Sequence, residues 1–212
     1  MIRACIQTGG LSLDTKALEA NLKWRGIALK VFDTKEEAAA YLTASIKGKT
    51  VGFGGSMTLE EMGLYEKLKK ENTVYWHWRE EMTGDEAKAK AYLADVYITS
   101  LNGVAETGEL VNIDGSGNRV AATLTKHERL YFVVGENKIA PDLHRAIDRA
   151  RNIASPLNAQ RLHRKTPCAV KADHCYDCKS PERICRSLNI LWEKPMQIGA
   201  CELILIREKL GY

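Results

Sequence analysis

The chain has 212 residues, 45% of them hydrophobic and 27% charged, with a formal net charge of +4 at pH 7. This is enough chain for one well-buried domain of ordinary globular composition. The mild, scattered basic excess does not call for nucleic acid, and no apolar run approaches the roughly 18 residues of a membrane-spanning helix. Residues 1–10 lack the apolar core of a secretory signal, so the expectation is a cytoplasmic protein whose thiols stay reduced.

Residues 1–13 carry little signal and are set apart as an N-terminal extension. The remainder, 14–212, is expected to form one α/β domain that includes a cysteine-rich segment at 161–186. Asp14 can cap a helix through Ala17, Leu18, Leu22 and Trp24, stopped by Gly26. Residues 27–32 alternate apolar and polar as a strand does. Thr34 and Glu37 form a capping box for a helix ending near Gly48. The most organised stretch follows at 51–63: Val51-Gly52-Phe53-Gly54-Gly55-Ser56-Met57-Thr58-Leu59-Glu60-Glu61-Met62-Gly63. It predicts a strand, a glycine turn and a helix start, with Thr58 and Glu61 as a second capping box. Adjacent glycines let backbone N–H groups approach a ligand, although a plain αβ turn has the same pattern.

Further strands are predicted at 73–78, 95–99 and 129–134, with helices at 85–93 and 141–153. This alternation indicates βαβ units: a Rossmann-like, mostly parallel sheet with helices on both faces. Between them, 100–108 is a polar strand-end loop, and segments 109–113 and 119–124 flank the turn Asp114-Gly115-Ser116-Gly117-Asn118 as an inserted hairpin. Pro156 is expected to end the regular pattern, and 187–193 with 201–207 to close the chain as an antiparallel strand pair. His77 and His127 are expected to be structural or surface residues. The Tyr75, Trp76 and Trp78 run is more often core or interface than a stacking platform.

Cys168, Cys175, Cys178 and Cys185 fall within eighteen residues, spaced by six, two and six. The Cys175–Cys178 knuckle can point two thiolates at one metal, with the outer pair closing a Cys₄ shell for zinc or an iron–sulfur cluster. The spacing matches neither paired zinc ribbons nor bacterial ferredoxins, which leaves the metal open. Reduced surface thiols, or a redox pair of Cys175 and Cys178, are the alternatives. Lys165, Lys171, Lys179, Arg183 and Arg186 crowd this cluster and would stabilise thiolates.

Several segments together resemble the LUD-domain proteins associated with lactate utilisation. They are the 51–61 stretch, the run 108–121 (Gly108-Glu109-Leu110-Val111-Asn112-Ile113-Asp114 onward), Val134-Gly135-Glu136-Asn137-Lys138-Ile139, and Arg151-Asn152-Ile153-Ala154-Ser155-Pro156-Leu157-Asn158-Ala159. The tail Lys165-Thr166-Pro167-Cys168 with Cys178-Lys179-Ser180-Pro181-Glu182-Arg183-Ile184-Cys185 looks like the short cysteine-bearing branch of that family. The resemblance spans about 14–212. It implies a fold similar to the sugar-isomerase and coenzyme A transferase superfamily. It also implies a role beside iron–sulfur oxidoreductase subunits that convert L-lactate to pyruvate. The chain lacks the tandem ferredoxin-type cysteine motifs of the longer relatives, which weakens any independent electron-transfer role.

Mapped by motif, the resemblance implies that Gly54, Gly55, Ser56, Met57 and Thr58 receive an anionic group, faced by Asn102, Gly103 and Glu106. Asn112, Asp114, Gly115, Asn118 and Arg119 would add polar edges. Glu106 is the candidate general base or carboxylate nucleophile, set against a plain exposed loop acid. Asp114 and Asn118 also suit a tight turn, and Arg119 either holds a substrate carboxylate or pairs with Asp114. Two functions follow. One is an enzyme or subunit of lactate and organic-acid metabolism that binds a small anionic or carboxylate ligand, as a homo-oligomer or beside partner subunits. The other is a non-catalytic accessory or redox- and metal-responsive protein built on the cysteine cluster.

Overall fold

A computed structural model describes residues 15–79 and 81–212. The predicted Asp14 cap, the 1–13 extension and Cys5 lie outside the described residues. From α1 (Thr15–Trp24) the chain enters β1 (Ala28–Phe32), α2 (Lys35–Ser45), β2 (Thr50–Phe53), α3 (Met57–Glu61), α4 (Leu64–Leu68) and β3 (Thr73–Tyr75). It continues through α5 (Gly84–Tyr92), β4 (Val96–Thr99), β5 (Gly103–Ala105), β6 (Leu110–Asp114), α6 (Asn118–Leu124) and β7 (Arg129–Gly135). A 3₁₀ turn at Glu136–Lys138 leads to β8 (Ile139–Ala140). Then come α7 (Leu143–Arg149), a π-helical turn at Ala150–Ala154, α8 (Ser155–Arg161), α9 (Pro167–Lys171), β9 (Ser187–Leu191) and β10 (Ala200–Ile206).

Six strands form one sheet in the order β1-β10-β7-β4-β2-β3, every neighbouring pair parallel. The side-chain period of two assigns its faces. Tyr131 and Val133 of β7 face α2, α3 and α4, packing with Leu42, Leu59 and Leu64. Leu130, Phe132 and Val134 face the other way, against Leu18 and Leu22 of α1, Ala91 of α5 and Ala122 of α6. A parallel strand covered on both faces reads as a continuous apolar run, and Leu-Tyr-Phe-Val-Val does. A smaller sheet, β8-β5-β6-β9, packs beneath α7 through Ala105, Val111, Ala146 and Ala150.

Three expectations are corrected. Residues 119–124 are helical: the Asp114 carboxylate accepts from Ser116 N (3.1 Å), Gly117 N (3.0 Å) and Val120 N (3.1 Å), capping α6 instead of turning a hairpin. The inserted hairpin exists one strand earlier, between β5 and β6. The last two strands do not pair with each other. β9 joins β6 antiparallel, whereas β10 enters the large sheet between β1 and β7.

Nor does Pro156 end the helix. Proline has no N–H, and its ring collides with the carbonyl four residues back in a regular α-helix. Widening the preceding turn to a π turn relieves that conflict. Ser155 donates through both its backbone N–H and its hydroxyl to the Ala150 carbonyl, the latter at 2.8 Å. The helical path therefore continues into α8 and carries Asn158 and Arg161 onward.

Candidate functional site

Parallel α/β sheets place their loops, and hence their sites, beyond the carboxyl ends of the strands. Here β2, β4 and β7 end at Phe53, Thr99 and Gly135, and a cleft of about 530 Å³ opens above them. Gly55, Ser56 and Met57 form one wall, Ser100 to Asn102 the floor, and Asp114 to Arg119 the facing edge. Asn158, Arg161 and Tyr212 close one end, and Pro181 to Arg186 of the cysteine-rich segment close the other.

The glycine turn is sterically required. A Cβ on Gly54 would sit 2.3 Å from the Thr99 hydroxyl, and one on Gly55 would sit 3.1 Å from the Trp78 ring. The helix after the turn starts two residues earlier than the sequence pattern suggests. Ser56 is its cap, accepting from Leu59 N at 3.3 Å. Thr58 is fully buried beneath the turn and its hydroxyl donates to the Leu210 carbonyl at 3.2 Å. Glu61 accepts from Gly211 N at 3.0 Å and so ties down the C-terminus. The Thr34–Glu37 capping box of α2 is present as the sequence predicts.

The residue that dominates the floor is Lys138, in the turn that follows β7. It is 3% exposed, and its Nζ donates to Thr58 Oγ1 and Ser100 Oγ, both at 2.9 Å. Burial, with Arg149 and Arg119 nearby, pushes its pKa down from 10.5 to about 7. Arg149 underlies the same loops, donating to the Asn137 carbonyl (2.7 Å) and the Asn102 carbonyl (2.5 Å). Its burial lowers its pKa to about 10. Arg119 donates to the Ile113 carbonyl (2.6 Å) and Asn102 Oδ1 (3.2 Å), and it lies 3.8 Å from Asp114. At the far end Arg161 donates to Tyr212 Oη at 2.6 Å, bonds Asn158, and lies over the Trp78 ring 4.9 Å from its centroid.

Among the described residues lining the cleft, seven are lysine or arginine (Lys88, Arg119, Lys138, Arg161, Arg164, Arg183, Arg186) and two are acidic (Asp114, Glu182). Asp114 is already committed to backbone N–H groups. Lys88 and Arg183 are paired with Asp85 and Asp177, and the excess that remains on Arg119, Lys138, Arg161, Arg164 and Arg186 favours an anion. His77, whose pKa burial lowers, lies where the cleft meets a neighbouring cavity of about 230 Å³ lined by Phe53, Tyr92 and Tyr97.

Of the residues expected from the sequence, Gly55, Ser56, Met57, Asn102, Asp114, Asn118 and Arg119 come together at the cleft. Gly54 and Thr58 support it from below. Gly103 packs against the Ala146 backbone of α7. Asn112 is buried in β6, its side-chain oxygen without a hydrogen-bond partner among the described residues. Glu106 lies in the β5–β6 connection outside the cleft, its backbone bonded to Ala140 and to the Asn21 side chain. His127 is a buried brace, its ring nitrogens 2.7 and 2.8 Å from the Ala94 and Ala122 carbonyls. Lys138, Ser100 and Arg161 do not stand out in the sequence. The available signal is a lysine placed just past the apolar run and glycine of β7, which repeats the logic of the first turn.

The four cysteines are half-buried free thiols. Among the described residues no three His, Cys, Asp or Glu side chains converge as a metal requires. What converges in the segment is a set of backbone carbonyls. Arg183 donates to the Cys178 carbonyl (3.0 Å) and the Cys185 carbonyl (2.8 Å) and pairs with Asp177 at 2.9 Å. The knuckle thus holds its shape through a guanidinium and presents that residue to the cleft. Burial raises the Cys185 thiol pKa against the opposing pull of Arg183.

Fold and site define an α/β protein with a parallel sheet and a cationic cleft at its strand ends. The LUD domain matches residues 15–206, and the chain belongs to that family, which is associated with lactate utilisation. A crystal structure of a DUF162 family protein from Deinococcus radiodurans is similar in fold. At 14% identity it gives a TM-score of 0.52, covering 90% of this chain and 94% of that one. No curated protein matches the sequence. Among the described residues no helix is long and apolar enough to cross a membrane.

Proposed function

We propose that the cleft binds a small organic anion, a short carboxylate of lactate and organic-acid metabolism, and that this chain serves as the substrate-binding subunit of an L-lactate to pyruvate conversion completed by an oxidoreductase partner. The observation that carries the reading is Lys138. Among the described residues it has hydroxyl partners and no carboxylate in ion-pair range, at the floor of a cleft whose other charges are mostly positive. Burial without a counter-ion lowers the pKa of this amine to about 7, and an arriving carboxylate supplies the charge that the protonated form lacks. Arg119 and the Gly55–Ser56 turn flank the same space. This reading moves the chemistry from Glu106 to Lys138.

Calorimetric titration of L-lactate, pyruvate and inorganic phosphate into the purified chain tests it. Saturable binding of a carboxylate is expected, weakened by salt and lost in Ser56→Trp, whose indole fills the cleft. No binding by any of the three would sink the proposal.

A further inference from the structure

The hydrogen-bond directions around Lys138 say more than its charge. The Thr58 hydroxyl donates to the Leu210 carbonyl at 3.2 Å, and the Ser100 hydroxyl donates to Thr58 Oγ1 at 3.4 Å. Both hydroxyls have another acceptor within reach, so both oxygens can meet the lysine as acceptors, with Nζ 2.9 Å from each and donating to it. A neutral amine has two N–H bonds and one lone pair. With both N–H bonds committed, the lone pair is the amine's one remaining valence, and Lys138 borders the cleft. Among the described residues no carboxylate stands in ion-pair range of the nitrogen; burial and the Arg149 and Arg119 guanidiniums oppose its protonation, outweighing the more distant Glu61 carboxylate, which favours it. Desolvation beside other cations is the setting in which a lysine becomes a nucleophile towards carbonyl carbon.

We infer that Lys138 is a carbonyl-trapping nucleophile whose Nζ condenses with the keto carbon of a short 2-oxo carboxylate bound in the cleft. The inference rests on the anion-binding reading above. The nitrogen lone pair forms the N–C bond as the carbonyl π bond opens to a carbinolamine. Loss of water, carrying the oxygen and the two amine hydrogens, leaves the C=N bond. No oxidant or reductant is consumed. The hydroxyls of Thr58 and Ser100 position the amine, and the basic lining holds the carboxylate end.

The test is reductive trapping. The full chain is incubated with pyruvate and sodium cyanoborohydride, and the product is read by intact mass and peptide mapping. One saturable adduct is expected, equal to pyruvic acid less one water and plus two reducing hydrogens, on the peptide containing Lys138. It should be suppressed by excess L-lactate, which has no keto group, and lost in Lys138→Met. Should that variant fail to fold, Lys138→Arg gives a long donor side chain without a trapping amine, and peptide mapping of the wild-type adduct locates the modified lysine without any variant. Calorimetric binding of pyruvate with Lys138 left unmodified overturns the imine and leaves the cleft reading standing. So does non-saturating modification scattered over surface lysines. Absence of binding by both acids overturns the cleft reading, and the imine falls with it.

Discussion

Replacing Lys138 by methionine should make the protein more stable at neutral pH while removing its anion site. Depression of the pKa from 10.5 to about 7 corresponds to about 5 kcal/mol of penalty for keeping the charged form in the fold. Methionine has a similar length and no charge to desolvate. It forfeits the bonds to Thr58 and Ser100, each contributing about 1 kcal/mol. The net expectation is a gain of about 2–3 kcal/mol near pH 7. The pH dependence identifies the cause. Between the folded pKa near 7 and the unfolded value of 10.5, the unfolded chain holds a proton that the folded chain has released, so wild-type stability rises with pH. From pH 7 to pH 9 that rise amounts to about 2 kcal/mol, and the advantage of the variant should shrink by the same amount. Urea unfolding of both proteins at several pH values reads this directly. Their difference cancels the other titrating groups, including Cys201, whose thiol burial pushes up to about 12. A wild-type minus variant difference that stays constant with pH would refute the buried-amine argument. So would a variant less stable than wild type at every pH.

Three other substitutions probe separate features. Arg119→Gln removes a fixed cation from the cleft edge and should weaken carboxylate binding about tenfold, about 1.4 kcal/mol, with the far-ultraviolet spectrum unchanged; unaltered affinity in titration would remove Arg119 from the site. Glu109→Ala leaves Arg25, buried and 2.5 Å from that carboxylate in the native fold, with the Thr107 and Trp192 carbonyls and the Trp24 ring as its remaining partners among the described residues. It should cost about 3–5 kcal/mol in urea unfolding, and a loss below about 1 kcal/mol would show the pair to be dispensable. Ser56→Ala removes the cap of α3 and should cost about 1 kcal/mol by thermal melting, whereas a cap at Thr58 would make it neutral.

The sequence carries those parts of this fold whose causes are local. The Thr34–Glu37 box starts its helix as expected because both partners lie within four residues and nothing tertiary competes. The strands 96–99 and 129–135 announce themselves because a strand covered on both faces must be apolar throughout. Parallel order follows from the helices between strands. The glycine turn is legible for the same reason, since a side chain at Gly54 would collide with Thr99 and one at Gly55 would crowd Trp78. At Thr58, two equally good local caps lie two residues apart. The choice falls to Ser56 because the Thr58 hydroxyl is engaged by Lys138, eighty positions along the chain. Segment 119–124 becomes a helix because a carboxylate at the end of β6 collects its first N–H groups, a partnership that strand-like composition hides.

The distribution of charge in the cleft is the least legible feature, because it depends on burial. In the sequence Lys138 is one of 31 basic residues, and Arg183 belongs to a basic run that surrounds the cysteines. Folding separates them from the rest. The 3₁₀ turn after β7 lowers Lys138 under the glycine turn, and the π turn ahead of Pro156 carries Arg161 onto Trp78. Arg183, bonded to carbonyls of its own knuckle, stands on the opposite wall. Each of these devices gives up local regularity to place a cation: a tightened turn, a widened turn, and a loop folded around a guanidinium. The segment that composition marked for a metal thus meets the rest of the site through its arginines. The cysteine-rich tail and the glycine turn, separate features of the sequence, are two walls of one cationic recess.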